Sequence, residues 1–265
     1  MRPLVVGIVN VTPDSFSDGG QHATPQAAVA HALALVEEGA DALDVGGEST
    51  RPGASPVPAD EEAARVVPVV AALRERGVAL PVFVDTRKAA VAAAALAAGA
   101  TMVNDVSAGL DDPAMLATAA RAGAGVVLMH KQGDPATMQR APRYGDVVEE
   151  VLAHLVARAD AAQAAGVPPE RIWVDPGIGF GKTFAHNEAL LRALERFVAT
   201  GRPVLLGASR KAFLGAITGR PVLERLAASL ACAARAAQAG VRAVRVHDVA
   251  ATVDLLAVLD RVAPP

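Results

Sequence analysis

Aromatic residues make up only 3% of this 265-residue chain, and cysteine occurs once. The lone Cys232 rules out an internal disulfide framework, and on its Ala-rich stretch it reads as a small buried side chain rather than a nucleophile. Neither sign of charge dominates: 25 Lys and Arg stand against 28 Asp and Glu. A net charge of −3 leaves no electrostatic footprint for nucleic acid, so any anion site has to be local. Long apolar runs are missing as well: the richest, around 66–73 and 89–98, are flanked by Arg, Glu and Lys and fall short of the roughly 18 residues a membrane span needs. No basic segment followed by an apolar stretch opens the sequence, because residues 3–9 already read as a strand, and a soluble cytoplasmic protein is expected. No Ser/Gly tract or charge block offers a linker, which favours one domain over residues 1–265.

What is present is a repeating unit. Hydrophobic residues reach 52%, mostly Ala and Val, so helices should pack closely through small side chains. Leu4–Val9 is an apolar run that stops at Asn10 and gives way to a loop rich in Pro, Gly, Ser and Asp. After that, a helical stretch, a glycine and a short apolar strand recur, each strand closing on a polar residue: Asp44 within 40–45, then Asp85, Asn104, His130, Asp175, Ser209, and Arg245 with His247. With helical segments near 25–38, 60–76, 87–98, 113–122, 146–165, 186–199, 222–239 and 249–262, the count is eight strand–helix units. Strands such as Val82-Phe-Val84 are apolar on both faces, as in a parallel sheet covered by crossover helices. The expected fold is a TIM-type (β/α)8 barrel; a doubly wound open sheet usually has fewer strands and a glycine fingerprint after its first strand, absent here. In a barrel, polar residues at the carboxyl ends of strands line the active site.

Two loops, 12–24 and 46–59, are long and rich in glycine, proline and small polar residues, which fits mobile lids. Asp175-Pro-Gly-Ile-Gly-Phe180-Gly-Lys182-Thr183 resembles a phosphate loop only superficially, because Pro176 stands where a Walker glycine must be. Its glycines better suit close passage of backbone beside a flat ligand. Gly207-Ala-Ser209-Arg210-Lys211 is no nucleophile elbow, since Lys211 occupies the second glycine position. No metal-ligand spacing surrounds His130 or His247; His130 reads as structural, whereas Arg245-Val-His247 puts two cation-capable side chains on one strand face. The rim thus collects Asn10, Asp85, Asn104 and Asp175 beside Lys211, Arg245 and His247. Carboxylates among apolar strands call for N–H donors or cations as partners, and the cationic trio suits a phosphate-like group. A heterocycle carrying an anionic tail has both features.

These blocks, with Asn10-Val-Thr-Pro-Asp-Ser-Phe-Ser-Asp-Gly-Gly20, Asp44-Val-Gly-Gly-Glu-Ser-Thr-Arg-Pro-Gly53, Val84-Asp-Thr-Arg-Lys88, Asn104-Asp-Val-Ser107, Met129-His-Lys-Gln-Gly133, Ser209-Arg-Lys-Ala-Phe-Leu-Gly215 and Arg245-Val-His-Asp-Val249, resemble the dihydropteroate synthase family along the whole chain. Lys131 departs from the pattern, standing where the family commonly has an apolar residue. The resemblance implies condensation of 6-hydroxymethyl-7,8-dihydropterin diphosphate with 4-aminobenzoate, aided by Mg²⁺. It assigns the pterin pocket to Asp85, Asn104, Asp175, Lys211 and Arg245, and the diphosphate to Asn10, Arg245 and His247, with Asn10 near the metal. Aminobenzoate falls to Phe16, Thr50, Arg51, Pro52 and Ser209, and catalysis to Asp18, Asp85 and Lys211. It also implies a homodimer, through the close-packing segment 223–237, and sulfonamide sensitivity. Two rivals are a methyltetrahydrofolate-handling methyltransferase, which needs no diphosphate site, and a non-catalytic pterin-binding relative, which should have lost the loop residues.

Overall fold

The computed structural model describes residues 2–12, 24–50, 53–134 and 137–262. Strand β1 (Leu4–Asn10) leads to helix α1 (Pro25–Glu37), and the alternation continues through β2 (Ala42–Gly46), α2 (Ala59–Glu75), β3 (Val82–Asp85), α3 (Ala89–Ala97), β4 (Met102–Asp105), α4 (Met115–Arg121) and β5 (Gly125–Met129). It closes with α5 (Val147–Ala164), β6 (Ile172–Asp175), α6 (Phe184–Arg192), α7 (Leu194–Val198), β7 (Leu205–Leu206), α8 (Ala212–Thr218), α9 (Leu226–Gln238), β8 (Ala243–Val246) and α10 (Val249–Val262). All pairings are parallel, in the order β6-β5-β4-β3-β2-β1-β8-β7. An isolated parallel bridge between Val174 and Val204 joins the two ends, so the sheet rolls into the expected (β/α)8 barrel.

Local chemistry explains the boundaries. Thr24 caps α1, its hydroxyl accepting from the Ala27 amide at 3.2 Å, and Pro25 takes the first turn, where its missing N–H costs nothing. Asp146 caps α5 by accepting from the amides of Val148 and Glu149. The glycines between helix and strand do the work assigned to them: Gly77 and Gly99 hold φ of 76° and 111°, a region costly for other residues. The expected helix over 186–199 is instead two, broken at Ala193, and the one over 222–239 begins with a single tight turn before α9.

The barrel interior follows from a period of two. Val6, Ala42, Phe83, Val127, Leu205 and Ala243 pack together at the amino-terminal end, with Met102 and Trp173 against them and Phe83 edge-on to the Trp173 ring. Two residues further along most of these strands, the same inward face turns polar: Asp44, Asp85, Asn104, Asp175 and Arg245. Outward-facing residues such as Val45, Val84 and Val103 pack in the larger core between sheet and helices. The apolar floor leaves the charged layer above it with no route to water except through the carboxyl end of the barrel.

Candidate active site

A cleft of about 920 Å³ opens at that end. Its floor is an ionic cluster that strand register dictates. Asp44 on β2 lies one step deeper than Asp85 on β3, since Gly46 pairs with Asp85, and Arg245 reaches across from β8. Arg245 binds Asp44 through Nε and Asp85 through Nη2 at 2.8 Å, while the Asn104 amide donates to the same Asp44 oxygen at 3.0 Å. Asn104 lines the cleft, and beyond that bond its carboxamide carries a carbonyl oxygen that can accept and a second Nδ2 hydrogen that can donate. Burial holds the Asp85 carboxyl well above the usual carboxylate range; Arg245 pulls the other way, and the Asp44 charge adds to the rise. For Arg245, burial works against the charge but Asp44 and Asp85 outweigh it, so the guanidinium stays ionised.

Asp175 stands on the opposite wall. Its Oδ1 accepts from the Gly177 amide at 2.7 Å, while a side chain at Gly207 would come near its Oδ2. Burial raises its pKa too, against the Gly177 bond and the charges of Lys211 and Lys182. Lys211 donates to the Ile178 carbonyl at 2.8 Å and lies 4.2 Å over the Phe180 ring. On the lip, Ser209 Oγ sits 3.0 Å from His247 Nδ1 and accepts from the His247 amide at 3.3 Å. Between Ser209 and Lys211, Arg210 adopts φ of 56° and holds Asp248 with two bonds, tying the β7 loop to the β8 loop.

Of the residues singled out from sequence, Asn10, Thr50, Asp85, Asn104, Asp175, Ser209, Lys211, Arg245 and His247 all line this one cleft. Phe16, Asp18, Arg51 and Pro52, like Asp14, lie outside the described residues. His130 lies outside the cleft lining, buried behind its wall against His154 and Tyr144. Lys131 pairs with Asp111 at 2.6 Å and lines a small separate hollow with His154, so the departure from the family pattern falls away from the cleft.

Sequence reading missed three contributors. Asp44 was visible as a carboxylate inside an apolar strand, the signal that a buried cation must exist. Lys182, 2% exposed, sits within the glycine-rich stretch, where nothing in the local pattern marks it as buried. Glu48 anchors the described part of loop 46–58: it accepts from Arg87, from Lys88 at 2.9 Å and from the Val57 amide at 2.9 Å. The Gly47 carbonyl is held by Arg65 at 2.8 Å. That part of the expected lid is therefore pinned to the loop between β3 and α3 and to α2.

A cleft with an acceptor-rich floor and a cationic lip suits a flat, N–H-rich ring bearing an anion. A model of the pterin-binding enzyme family matches residues 6–247. The dihydropteroate synthase of Mycobacterium leprae is 52% identical over 262 residues, covering 96% of this chain and 92% of that protein. Among solved structures, the Xanthomonas albilineans dihydropteroate synthase with 4-aminobenzoic acid superposes at a TM-score of 0.92 with 55% identity, covering 100% of this chain and 94% of that one. The same enzyme in complex with 7,8-dihydropteroate gives 0.89 with 52% identity, covering 100% and 95%. On the matched family model, the shared fold and identities of this size along nearly its whole length, the chain belongs to the dihydropteroate synthase family of pterin-binding enzymes.

Proposed function

We propose that the cleft joins 6-hydroxymethyl-7,8-dihydropterin diphosphate to 4-aminobenzoate, giving 7,8-dihydropteroate and diphosphate. The observation that carries this is the meeting of two kinds of side chain in one cavity: the acceptors of Asp85, Asn104 and Asp175, and the cation-capable groups of Lys211, Arg245 and His247. Asp175 Oδ2 and the Asn104 carbonyl accept N–H groups from the pterin edge, each charge-assisted bond contributing on the order of 1.5–3 kcal/mol. Lys211 donates to the ring from the other side, held by Ile178 and Phe180. Arg245 covers the ring and meets the leaving diphosphate together with His247 and Asn10.

The reaction then needs positioning more than protein nucleophiles. The arylamine lone pair attacks the exocyclic methylene carbon, the carbon–oxygen bond to diphosphate breaks, and its electrons leave with the diphosphate oxygen. The nitrogen gives up one proton to the departing diphosphate as the new bond forms. Asp85 next to Arg245 sits where positive charge on the ring is stabilised, and Asp18, Phe16, Thr50, Arg51, Pro52 and Ser209 belong to the aminobenzoate side. The residues also fit Mg²⁺. Among the described residues no group of three or more His, Cys, Asp or Glu is placed to form a protein-built cage. A hard cation taking the Asn10 carbonyl, substrate phosphate oxygens and water needs none. Bound there, Mg²⁺ would offset charge on the departing diphosphate.

Among the described residues no helix is long and apolar enough to cross a membrane, and we place the enzyme in the cytoplasm. A homodimer is proposed from exposed apolar side chains on and beside α8 and α9, namely Ile217, Leu223 and Leu226. Sulfonamides, as aminobenzoate mimics, are expected to compete for its side of the cleft. Product formation from the two purified substrates with Mg²⁺ tests the central reading. Dihydropteroate and diphosphate in equal amounts are expected; a protein that binds the pterin yet forms no product would be the non-catalytic relative instead.

A further inference from the structure

Lys182 has the surroundings of a device rather than of filler. It is almost wholly buried, and its ammonium lies 3.0 Å from His130 Nδ1, 3.1 Å from the His130 carbonyl and 3.0 Å from the Phe180 carbonyl. None of these acceptors is a carboxylate, yet there are three of them, one for each ammonium proton. A side chain needed only for volume would be apolar, whereas here burial drives the amine down to about 7.

The contacts join two loops. After β6 the backbone crosses the end of β5 so closely that a side-chain carbon at Gly177 would fall 1.9 Å from the His130 carbonyl oxygen, and one at Gly181 would fall 2.2 Å from that of Gln132. Lys182 grips the same His130 carbonyl from within. The segment is held from further directions by Tyr144 donating to the Gly181 carbonyl at 2.8 Å and by Asn187 accepting from the Gly179 amide at 2.8 Å. What the segment presents to the cleft includes the Ile178 carbonyl and the Phe180 ring, which both hold the Lys211 ammonium. Gly179 completes the seat, since a side chain there would come within 3.3 Å of the Lys211 stem.

We propose that Lys182 is a positioning residue for pterin recognition: by stapling the β6–α6 loop to the end of β5, it holds the seat that aims Lys211 at the ring. The inference rests on the pterin reading above. It is tested by a double-mutant cycle with Lys182→Met and Lys211→Met, read as the dissociation constant of a dihydropterin by calorimetry and as separate KM and kcat values. Lys182→Met should weaken pterin binding about tenfold when Lys211 is present and about twofold or less when it is absent, since the loss comes from releasing one charged hydrogen bond. KM for the pterin substrate should rise more than kcat falls. Lys182→Gln, which keeps two N–H donors, should recover part of the loss; if Lys182→Met fails to fold, the glutamine variant carries the same cycle. An equal loss in both Lys211 backgrounds, or none in either, would overturn the proposal. Wild-type protein indifferent to the dihydropterin would instead overturn the functional reading, and this inference with it.

Discussion

Replacing Asp175 by Asn separates recognition from stability. One carboxylate oxygen is already committed to the Gly177 amide at 2.7 Å. An asparagine carbonyl that keeps this bond must turn its NH2 toward the cleft, placing a donor where the pterin edge also brings donors. Flipping the amide only moves the clash to Gly177. The variant loses a charge-assisted acceptor, about 1.5–3 kcal/mol, and strands a buried donor, about 1–3 kcal/mol. Together these come to about 2.5–6 kcal/mol, or roughly seventyfold to about 25,000-fold in the dissociation constant for a dihydropterin. Stability should move the other way. Burial raises the native pKa of this carboxyl, so above the ordinary carboxylate range the unfolded chain ionises more readily than the native one, and ionisation favours unfolding. Asp175→Asn should therefore melt no lower than wild type at neutral pH. Calorimetric titration and thermal unfolding on the same samples check both halves. Undiminished affinity would remove Asp175 from the pocket, and a melting point several degrees lower would show that its charge is compensated rather than costly.

Glu48→Gln should loosen loop 46–58 and raise KM for 4-aminobenzoate by about five- to thirtyfold, from about 1–2 kcal/mol of lost charge-assisted bonding to Arg87 and Lys88, with KM for the pterin substrate changed about twofold or less. Steady-state kinetics with each substrate varied in turn will show whether the effect falls on one side only. Gly177→Ala should cost about 3 kcal/mol or more in a denaturant melt, because it adds steric overlap with the His130 carbonyl to a left-handed backbone. Gly123→Ala, with φ of 64° but nothing within 4 Å, should cost only about 1–2 kcal/mol. His130 supplies a pH test, since burial first and the Lys182 charge second push its pKa from 6.5 down to about 3. The unfolded chain takes up a proton over that window while the native protein does not, so stability present above pH 6.5 is lost as the pH falls. In His130→Asn the melting temperature should fall less steeply between pH 7 and 4, and parallel curves would discard the explanation.

Much of the barrel could be read from the sequence because each strand is framed by a glycine that ends the preceding helix and a polar residue that ends the strand. Phe83-Val-Asp85 carries the plan in three residues: floor, outer core, site. Asp44 escaped assignment because its meaning depends on Arg245, which lies 201 positions away and meets it only through the register of β1, β2 and β8. Lys182 escaped because neighbouring glycines suggested ligand contact, whereas two of them serve close passage over β5. Helix α8 went unread since it is seven residues long and contains Gly215. That glycine is explained only by tertiary structure, as the Arg225 guanidinium occupies the space where its side chain would stand.

The bridge between Val174 and Val204 makes the barrel a ring with a clasp. The other neighbouring strands share two to five paired residues, whereas here a single bridge does the closing, and Pro203 beside it has no N–H to lend. Breathing of the ring will begin at this clasp, so the Val174 amide, which donates to the Pro203 carbonyl, should exchange with deuterium ahead of its counterparts on β1 and β2. Asp175 stands on one side of the clasp and Ser209 and Lys211 follow on the other. Opening there would widen the gap between the acceptor that reads the ring and the lysine facing it. A molecule wedged across that gap would hold the hoop itself shut, and slower exchange at Val174 would report it.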